Sequence, residues 1–275
     1  MTITAYPSDK NYTLGRGRLF FSRFTPAQIA AGIAVDTQPE GELYFGNTPA
    51  LTATSSTEKL DHFDSDEGVK VKDDSVQLSF DRTGTFSCDN ISKENLALLF
   101  LSAAGAATVS QGSATASVYV TPSVKRNRFY QIGITSGLPM GVRKVSNVVV
   151  KSGSPGFATT VAQATNYEID EELGRIRILP AAPGIPDDTI LQITYDLAAT
   201  TTETIISGSQ SIYGSLYFQA TNPKGKLRDY LWPYVELAPD GDFALKGDDW
   251  QNMNFNFEVL KKGSLEACYI TARPT

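Results

Sequence analysis

The sequence predicts a mainly β protein built from antiparallel strands, and three observations support this. Charged residues make up only 20% of the 275 residues and the chain contains 22 glycines, a composition that suits strands joined by turns. Several segments alternate apolar and polar residues with a period of two. A single segment has clear helical spacing. We therefore expect an antiparallel β-sandwich or barrel with one flanking amphipathic helix.

Three segments predict strands with one buried face, because apolar and polar residues strictly alternate in them. In LQITYDL the apolar residues are Leu191, Ile193, Tyr195 and Leu197. In SVQLSFDRTGTFSC they are Val76, Leu78, Phe80, Phe86 and Cys88, with Gln77, Ser79 and Asp81 on the other face. In MNFNFEVL they are Met253, Phe255, Phe257 and Val259, opposed by Asn254, Asn256 and Glu258.

The segment ISKENLALLFLSAAG predicts the flanking helix. Ser92 is a suitable N-cap, and Ile91 and Leu96 are spaced as a hydrophobic staple. The apolar spacing continues for about three turns, and Gly105 is expected to end the helix. A second, weaker helix is predicted in PAQIAAG, which begins at Pro26.

Two low-complexity stretches, AATVSQGSATAS and LAATTTET, bracket a block with its own turn signals: SGSPGF, EELGR and APGIPDD. We predict that residues 108–202 form an inserted all-β sandwich subdomain, and that residues 1–107 and 203–275 form one discontinuous β domain. The alternative is that the block extends the main sheet.

Charge and hydropathy limit the possible partners. The net charge is −6, and residues 1–105 hold 14 acidic and 9 basic side chains. Such a surface does not favour binding to nucleic acid, which needs cations to replace counterions on phosphates. No apolar run approaches the ~20 residues of a membrane span, and the polar start MTITAYPSDK does not resemble a signal peptide. We expect a soluble protein made in a cytoplasm.

Catalytic motifs are scarce in this sequence. It contains one histidine, His62, and no GxSxG, P-loop or GxGxxG pattern. Paired carboxylates lie in turn-like segments such as PDD and GDD, where aspartate is common for conformational reasons. Cys88 and Cys268 have no metal-binding spacing and are expected to be reduced thiols. We expect no enzymatic activity, the alternative being a hydrolase with an unrecognised site that includes His62.

The stretch DHFDSDEGVKVKDD, residues 61–74, gathers carboxylates around that histidine. A calcium-binding EF-hand frame starting at Asp64 fails, because Gly68 then occupies position five rather than six. His62 with Asp61 and Asp64 could in principle ligate a transition metal. A lone loop histidine is more often solvated, so we expect no metal and no cofactor.

Two short segments resemble each other. GELYFGNTP begins at Gly41 and GSLYFQATNP at Gly214, and both place Leu-Tyr-Phe before an Asn/Pro turn. One interpretation is convergent strand-to-turn chemistry. The other is that the two ends of the chain form one domain with two similar hairpins.

Two blocks of the sequence carry a resemblance to a known family. The first runs from GELYFGNTP through a polar loop and SVQLSFDRTGTFSC to the helix, and the second from GSLYFQATNP through DYLWPYVELAPDGD to MNFNFEVLKK. Together, over residues 10–105 and 205–262, they resemble the major tail protein, or tail tube protein, of bacteriophages with long non-contractile tails. The block 108–202 departs from the minimal pattern and resembles the immunoglobulin-like modules of some tail proteins.

The resemblance implies a structural virion protein that self-assembles into hexameric rings, which stack into the tail tube, the conduit for DNA ejection. Its partners would be other copies of itself and the tape measure, tail terminator and distal tail proteins. Double-stranded DNA would pass without specific binding, and there would be no membrane insertion. The protein would reside in the virion tail after assembly in the host cytoplasm.

The resemblance also implies roles for particular residues. A long loop from about Thr48 to Ser75 would stack on the next ring, through Asp61, His62, Phe63, Asp64, Asp66, Glu67, Lys70, Lys72, Asp73 and Asp74. The polar faces of two strands would line the lumen, through Gln77, Ser79, Asp81, Asn254, Asn256 and Glu258. Aromatic side chains could form a subunit interface, or pack in the core instead: Tyr230, Trp232 and Tyr234. Trp250 is expected to begin a strand and to lie in the core.

An alternative function is a tail-tip or surface-binding module that recognises a carbohydrate or receptor, with residues 108–202 as the adhesive domain. Exposed aromatic side chains would support it, and the block contains few aromatics: Tyr119, Phe129, Tyr130, Phe157, Tyr167 and Tyr195.

Overall fold

The computed structural model describes residues 12–31, 37–66, 68–103 and 105–273. The chain divides into two compact units, one formed by Met1–Ala107 with Ile205–Thr275 and the other by Thr108–Thr204. Antiparallel strands dominate both, which confirms the mainly β class. In the part of the chain that the structure describes, no helix has the length and apolar character needed to cross a membrane.

The discontinuous unit is organised around one eight-stranded sheet. The strands are β1 (Gly17–Arg23), β2 (Leu43–Tyr44), β3 (Ala50–Asp64), β4 (Val71–Cys88), β14 (Ile212–Ala220), β15 (Arg228–Pro239), β16 (Met253–Val259) and β17 (Tyr269–Ala272). Their order is β2-β1-β14-β15-β16-β4-β3, and β17 pairs with the first residues of β15, whereas β16 pairs with its last residues. Two helices accompany them among the described residues, α1 (Pro26–Ala31) and α2 (Lys93–Leu99).

Phenylalanine side chains from three strands and one loop form the centre of this unit's core. Phe45 lies 4.8 Å from Phe86 and 5.9 Å from Phe255 between ring centroids, and Phe86 stacks on Phe255 at 5.0 Å. Phe21 and Phe257 complete the set, and all five side chains are at most 2% exposed. The alternation predicted for MNFNFEVL is confirmed, since Met253, Phe255 and Phe257 are the buried residues of β16.

The two Leu-Tyr-Phe segments lie on opposite sides of β1. Phe21 of β1 pairs with Leu43 on one side and Leu216 on the other, and Phe20 pairs with Tyr44 and Tyr217. The repeated sequence therefore supplies equivalent neighbours to one central strand. Leucines face the core beside Phe21, and tyrosines surround the half-buried Phe20.

Helix α2 begins as predicted and ends earlier than predicted. The Ser92 side chain accepts the Asn95 backbone N–H at 3.2 Å, which confirms the N-cap. The helix ends at Leu99 rather than near Gly105, because Leu101 adopts a left-handed φ of 52° and the Ser102 N–H returns to the Ala97 carbonyl at 2.8 Å. The weaker helix that starts at Pro26 is also present, as α1.

The second unit has two sheets that contribute to a single core. One sheet has the order β10-β11-β7 and the other β6-β12-β8-β9, while β5 and β13 pair as a two-stranded sheet. Ile176 and Ile178 of the first sheet and Ile193 and Val150 of the second belong to the same buried cluster. The strands are β5 (Ala106–Gln111), β6 (Ala114–Val120), β7 (Phe129–Gln131), β8 (Val145–Ser152), β9 (Thr159–Val161), β10 (Tyr167–Asp170), β11 (Arg175–Ile178), β12 (Gln192–Leu197) and β13 (Thr200–Ile205).

The prediction for Trp250 is wrong. Its side chain is 96% exposed and lies in the irregular segment between β15 and β16, three residues before β16 begins at Met253. The adjacent GDD sequence continues this turn-rich segment instead of starting a strand, so the indole is never brought over the core.

Candidate functional site

The segment predicted as a long loop is a β-hairpin. Strands β3 and β4, of 15 and 18 residues, pair from Ala50↔Ser87 out to Asp64↔Val71. The loop prediction for residues 48–75 is therefore wrong over most of its length. Its threonines favour the extended strand conformation, and backbone hydrogen bonds between β3 and β4 satisfy the polar backbone groups of the two strands.

The hairpin has a base within the sheet and an arm beyond it. Strand β16 pairs with β4 only from Met253↔Cys88 to Glu258↔Thr83. Past that point β3 and β4 have only each other as partners among the described strands. We call residues 55–82 the arm, and at about 3.3 Å per residue each of its strands extends for roughly 30 Å.

The arm exposes apolar side chains on both of its faces. The large ones are Leu60 (63% exposed), Phe63 (49%), Val69 (74%), Val71 (62%), Val76 (57%), Leu78 (57%) and Phe80 (43%). Of the alternating apolar residues predicted for β4, Phe86 and Cys88 are thus buried, whereas those in the arm are exposed. A two-stranded hairpin is marginally stable in water by itself, and its unpaired strand edges invite pairing with another chain.

The tip of the arm carries the residues predicted to stack on a neighbouring ring. Asp61, His62, Phe63 and Asp64 end β3, Lys72, Asp73 and Asp74 begin β4, and Asp66 and Lys70 lie in the turn. All of them are exposed. The remaining residue of that set, Glu67, lies outside the described residues.

Several of these charges are paired within the tip. Lys72 Nζ lies 2.6 Å from Asp61 Oδ1, and the Ser75 hydroxyl donates to the same oxygen at 2.8 Å. These contacts, the lysine first, lower the pKa of the Asp61 carboxyl. His62 Nδ1 lies 2.6 Å from Asp73 Oδ1. Nowhere among the described residues do three or more histidine, cysteine or acidic side chains converge as a metal site would require.

The base of the hairpin contributes to a continuous polar surface, which we call the polar face. Cross-strand partners share a face, so the register places Asn254 with Ser87, Asn256 with Thr85 and Glu258 with Thr83. Strand β3 extends this surface with Ala50, Thr52, Thr54, Ser56 and Glu58, and β4 with Ser79 and Asp81. Strand β15 adds Glu236 and Ala238. None of the residues placed on this face is lysine or arginine.

Two carboxylates of the polar face oppose each other directly. Glu236 pairs with Glu258 in the β15–β16 register, and like charges at such positions destabilise a sheet. Neither glutamate has an ion-pair partner in the described part of the chain. The fold therefore retains a repulsive pair on this surface. Glu236 was not identified from the sequence, because its position on this face depends on the pairing of β15 with β16.

Gln77 does not belong to the polar face. The prediction that it shares a strand face with Ser79 and Asp81 is wrong. Glu58 pairs with Ser79, but the next residue of β3, Lys59, pairs with Gln77. Consecutive residues of β3 point to opposite faces, so Ser79 and Gln77 do as well. The β-bulge at Leu78 accounts for the change, because it adds one residue to β4.

The aromatic residues predicted as a subunit interface are mostly core residues, as the alternative interpretation had it. Trp232 is 5% exposed and lies 5.5 Å from Phe257 between ring centroids. Tyr234 is 3% exposed and packs on the other side of the sheet with Phe24. A register shift in β15 separates them onto opposite faces. Tyr230 alone of the three is partly exposed.

Comparison with known proteins identifies a family. The chain belongs to the family described as protein of unknown function UCP028589, whose model matches residues 27–267. The match extends through all of Thr108–Thr204, so the second unit is part of the family pattern. No match is found among curated proteins.

Proposed function

We propose that this protein is a structural subunit that assembles with other copies of itself into stacked hexameric rings, forming the tail tube of a long-tailed bacteriophage. It would act without a cofactor and without catalysis, in the virion tail, after assembly in the host cytoplasm. Contacts with tape measure, tail terminator and distal tail proteins belong to the same proposal.

The exposed arm carries this proposal. Residues 55–82 expose seven large apolar side chains on a two-stranded ribbon that no other described part of its unit covers. Burying such side chains contributes roughly 1.5–3 kcal/mol each. Burial of the arm on a partner surface would therefore stabilise it far more than the pairing of its two strands does. A self-assembling protein supplies such a surface by default, since every copy brings one.

The polar face supports the role of a conduit. Its serine, threonine and asparagine side chains offer hydrogen bonds without cationic charge, and Glu58, Asp81, Glu236 and Glu258 make it acidic. DNA binding is driven by cations that neutralise phosphates. A wall of this chemistry would repel a polyanion weakly and let it slide, which explains why the opposed Glu236–Glu258 pair is tolerated.

Electron microscopy of the purified protein tests the proposal. We expect negatively stained samples at low salt to contain rings or tubes of uniform width, and sedimentation velocity to show association that grows with concentration. A variant in which residues 59–78 are replaced by a two-residue Asn-Gly turn should keep the fold of the base and remain a monomer. A wild type that stays monomeric over all salt and protein concentrations would contradict the proposal.

A surface-binding function is the second candidate, and one observation favours it. Phe129 on β7 is 57% exposed, and the guanidinium carbons of Arg175 and Arg177 lie 5.1 and 5.6 Å from its ring centroid. Glu168 and Asp170 help to line a cavity of about 190 Å³ beside it. A glycan array probed with wild type and with Phe129→Ala tests this candidate, which requires binding that the substitution removes.

A further inference from the structure

A groove with an aromatic floor lies at the start of β3. It has a volume of about 690 Å³ and is walled by residues 47–53 and by Gly15, Arg16 and Gly17. Its floor is formed by Phe218, Tyr230 and Trp232, with ring centroids 6.1 and 6.0 Å apart in succession. Strand β3 is the last strand of the sheet, so the groove combines an apolar floor with a strand edge able to accept another strand.

Five cations, which we call the basic cluster, lie at the ends of the strands near this groove, and one of them, Arg16, is among the residues that line it. Its members are exposed and lie where β1 begins and where β14 turns into β15: Arg16, Arg18, Lys224, Lys226 and Arg228. Local contacts hold them together, since the Arg16 N–H donates to Asn222 and Leu14 bridges to Lys224. Within the described residues none of the five makes an ion pair.

The carboxylate adjacent to Arg228 in the chain does not neutralise the basic cluster. Asp229 follows Arg228, but Arg273 binds both of its oxygens at 2.7 and 2.8 Å. Those hydrogen bonds lower the pKa of Asp229, and its negative charge is paired with Arg273. Among the described residues, the basic cluster is therefore a positive surface without ion-pair partners.

The arm has the complementary properties. Residues 55–82 contain eight acidic and four basic side chains, and the tip carboxylates of Asp64 and Asp66 have no ion-pair partner in the described part of the chain. Its exposed apolar side chains, such as Phe63, Leu60 and Val71, lie among these acids. An apolar acidic ribbon suits an apolar groove with a basic border.

We infer that the arm of one copy docks in the aromatic groove of a second copy, with its tip acids against the basic cluster. This inference rests on the proposed function and names the surface that receives the arm. The two surfaces are different parts of one chain, so the contact is head-to-tail. Repeating such a contact closes a ring or propagates a filament.

Charge exchange tests the inference. A tip variant carries Asp64→Lys with Asp66→Lys, and a cluster variant carries Lys224→Glu with Lys226→Glu. Sedimentation velocity at low salt should show that each variant alone associates at least about tenfold more weakly than wild type. Mixing the two variants should restore association, because each arm then meets a cluster of opposite charge.

The control variant carries Lys125→Glu with Lys246→Glu, which changes the net charge equally at exposed lysines outside the basic cluster. It should associate like wild type, and thermal unfolding should show that all the variants are folded. If wild type assembles and the cluster variant assembles equally well, the inference is overturned while the proposed function stands. If wild type itself never assembles, the proposed function fails first and the inference with it.

Nucleic acid is the competing partner for a basic surface. A gel-shift assay with a 30-base-pair DNA duplex distinguishes DNA binding from docking of the arm. Duplex binding by wild type that the cluster variant loses, together with unchanged self-association, would assign the basic cluster to DNA and overturn the inference. No duplex binding, together with restored association in the mixed sample, supports arm docking.

Discussion

The two halves of β4 follow the same alternating pattern and have opposite environments. In the base of the hairpin, Phe86 is 2% exposed and Cys88 is fully buried, because Phe45 and the leucines of α2 belong to the same core cluster as these two side chains. In the arm, Phe80 and Leu78 are 43% and 57% exposed. The alternation indicates that both halves favour burial of one face, but it does not indicate what buries it. For the arm, we propose that another copy does.

The largest expected effect is on the base. Phe86→Ala would remove a ring that stacks on Phe255 and also contacts Phe45, and a cavity of this kind costs about 3–5 kcal/mol. Urea unfolding measures it. The matched substitution in the arm, Phe80→Ala, should change the unfolding free energy of the protomer by less than about 1 kcal/mol. Equal losses at both positions would show that the arm is already packed in the monomer.

A slightly smaller loss is expected where the base is tightest. A Cβ added at Gly84 would lie 2.2 Å from Phe257 Cζ and 2.4 Å from the Thr52 carbonyl oxygen. Gly84→Ala should therefore destabilise the protein by about 1–3 kcal/mol through overpacking. Gly68, in the turn of the arm, has open space around it but a φ of +76°, so Gly68→Asn, which tolerates that conformation, is the mild control. Unfolding midpoints in urea compare the two.

The effect of pH on the main sheet, outside the hairpin, should be smaller again. Since its hydrogen bonds with Arg273 lower the pKa of Asp229 in the folded state, this stabilisation is present above the ordinary aspartate pKa and is lost as the pH falls through the folded value. Asp229→Asn should lower the thermal midpoint at pH 7, and the gap to wild type should narrow as the pH is lowered below the ordinary aspartate pKa. A gap independent of pH would contradict the assignment.

In the arm, Asp61 offers the exposed counterpart of Asp229. Its pKa is also lowered, first by Lys72 and then by Ser75, but the pair lies at the surface, where solvent screens it. Asp61→Asn should leave the thermal midpoint of the protomer unchanged at pH 7 and at acidic pH. A shift as large as that of Asp229→Asn would mean that the tip is structurally coupled to the base.

The smallest expected effect on folding accompanies a large expected effect on assembly. Changing Asp64, Asp66 and Glu67 to lysine should leave the unfolding free energy within about 0.5 kcal/mol of wild type, because Asp64 and Asp66 are exposed and such surface charges contribute little to stability. Tube formation, followed by negative-stain microscopy, should be impaired. Normal polymerisation of this variant would show that the tip is merely solvated.

Local signals predicted local structure well. Ser92 caps α2 because a hydroxyl at that position needs only the backbone N–H three residues away. The end of the helix was misplaced, because the left-handed turn at Leu101 uses a residue type that rarely adopts it. The prediction that Trp250 is buried also failed for a local reason. Its aromatic side chain would be buried only if β16 included it, and β16 begins three residues later.

The candidate site was predictable in its polar alternation and unpredictable in its register. Asn254, Asn256 and Glu258 lie on one polar face, as their spacing indicates. Gln77 left that face because of a bulge that no single-residue preference encodes. Glu236 joined it because β15 pairs with β16, and the basic cluster formed where three chain segments meet.

The sequence by itself determined the mainly β class, the alternation of the strands and the cap of α2, because these depend on neighbours a few residues apart. The tertiary structure alone decided that residues 50–88 form one long hairpin and that β16 pairs only with its base. That division depends on β16, more than 160 residues later in the chain, ending its pairing at Thr83. Whether an apolar face is core or open surface is a property of what lies across from it, and local sequence does not contain that information.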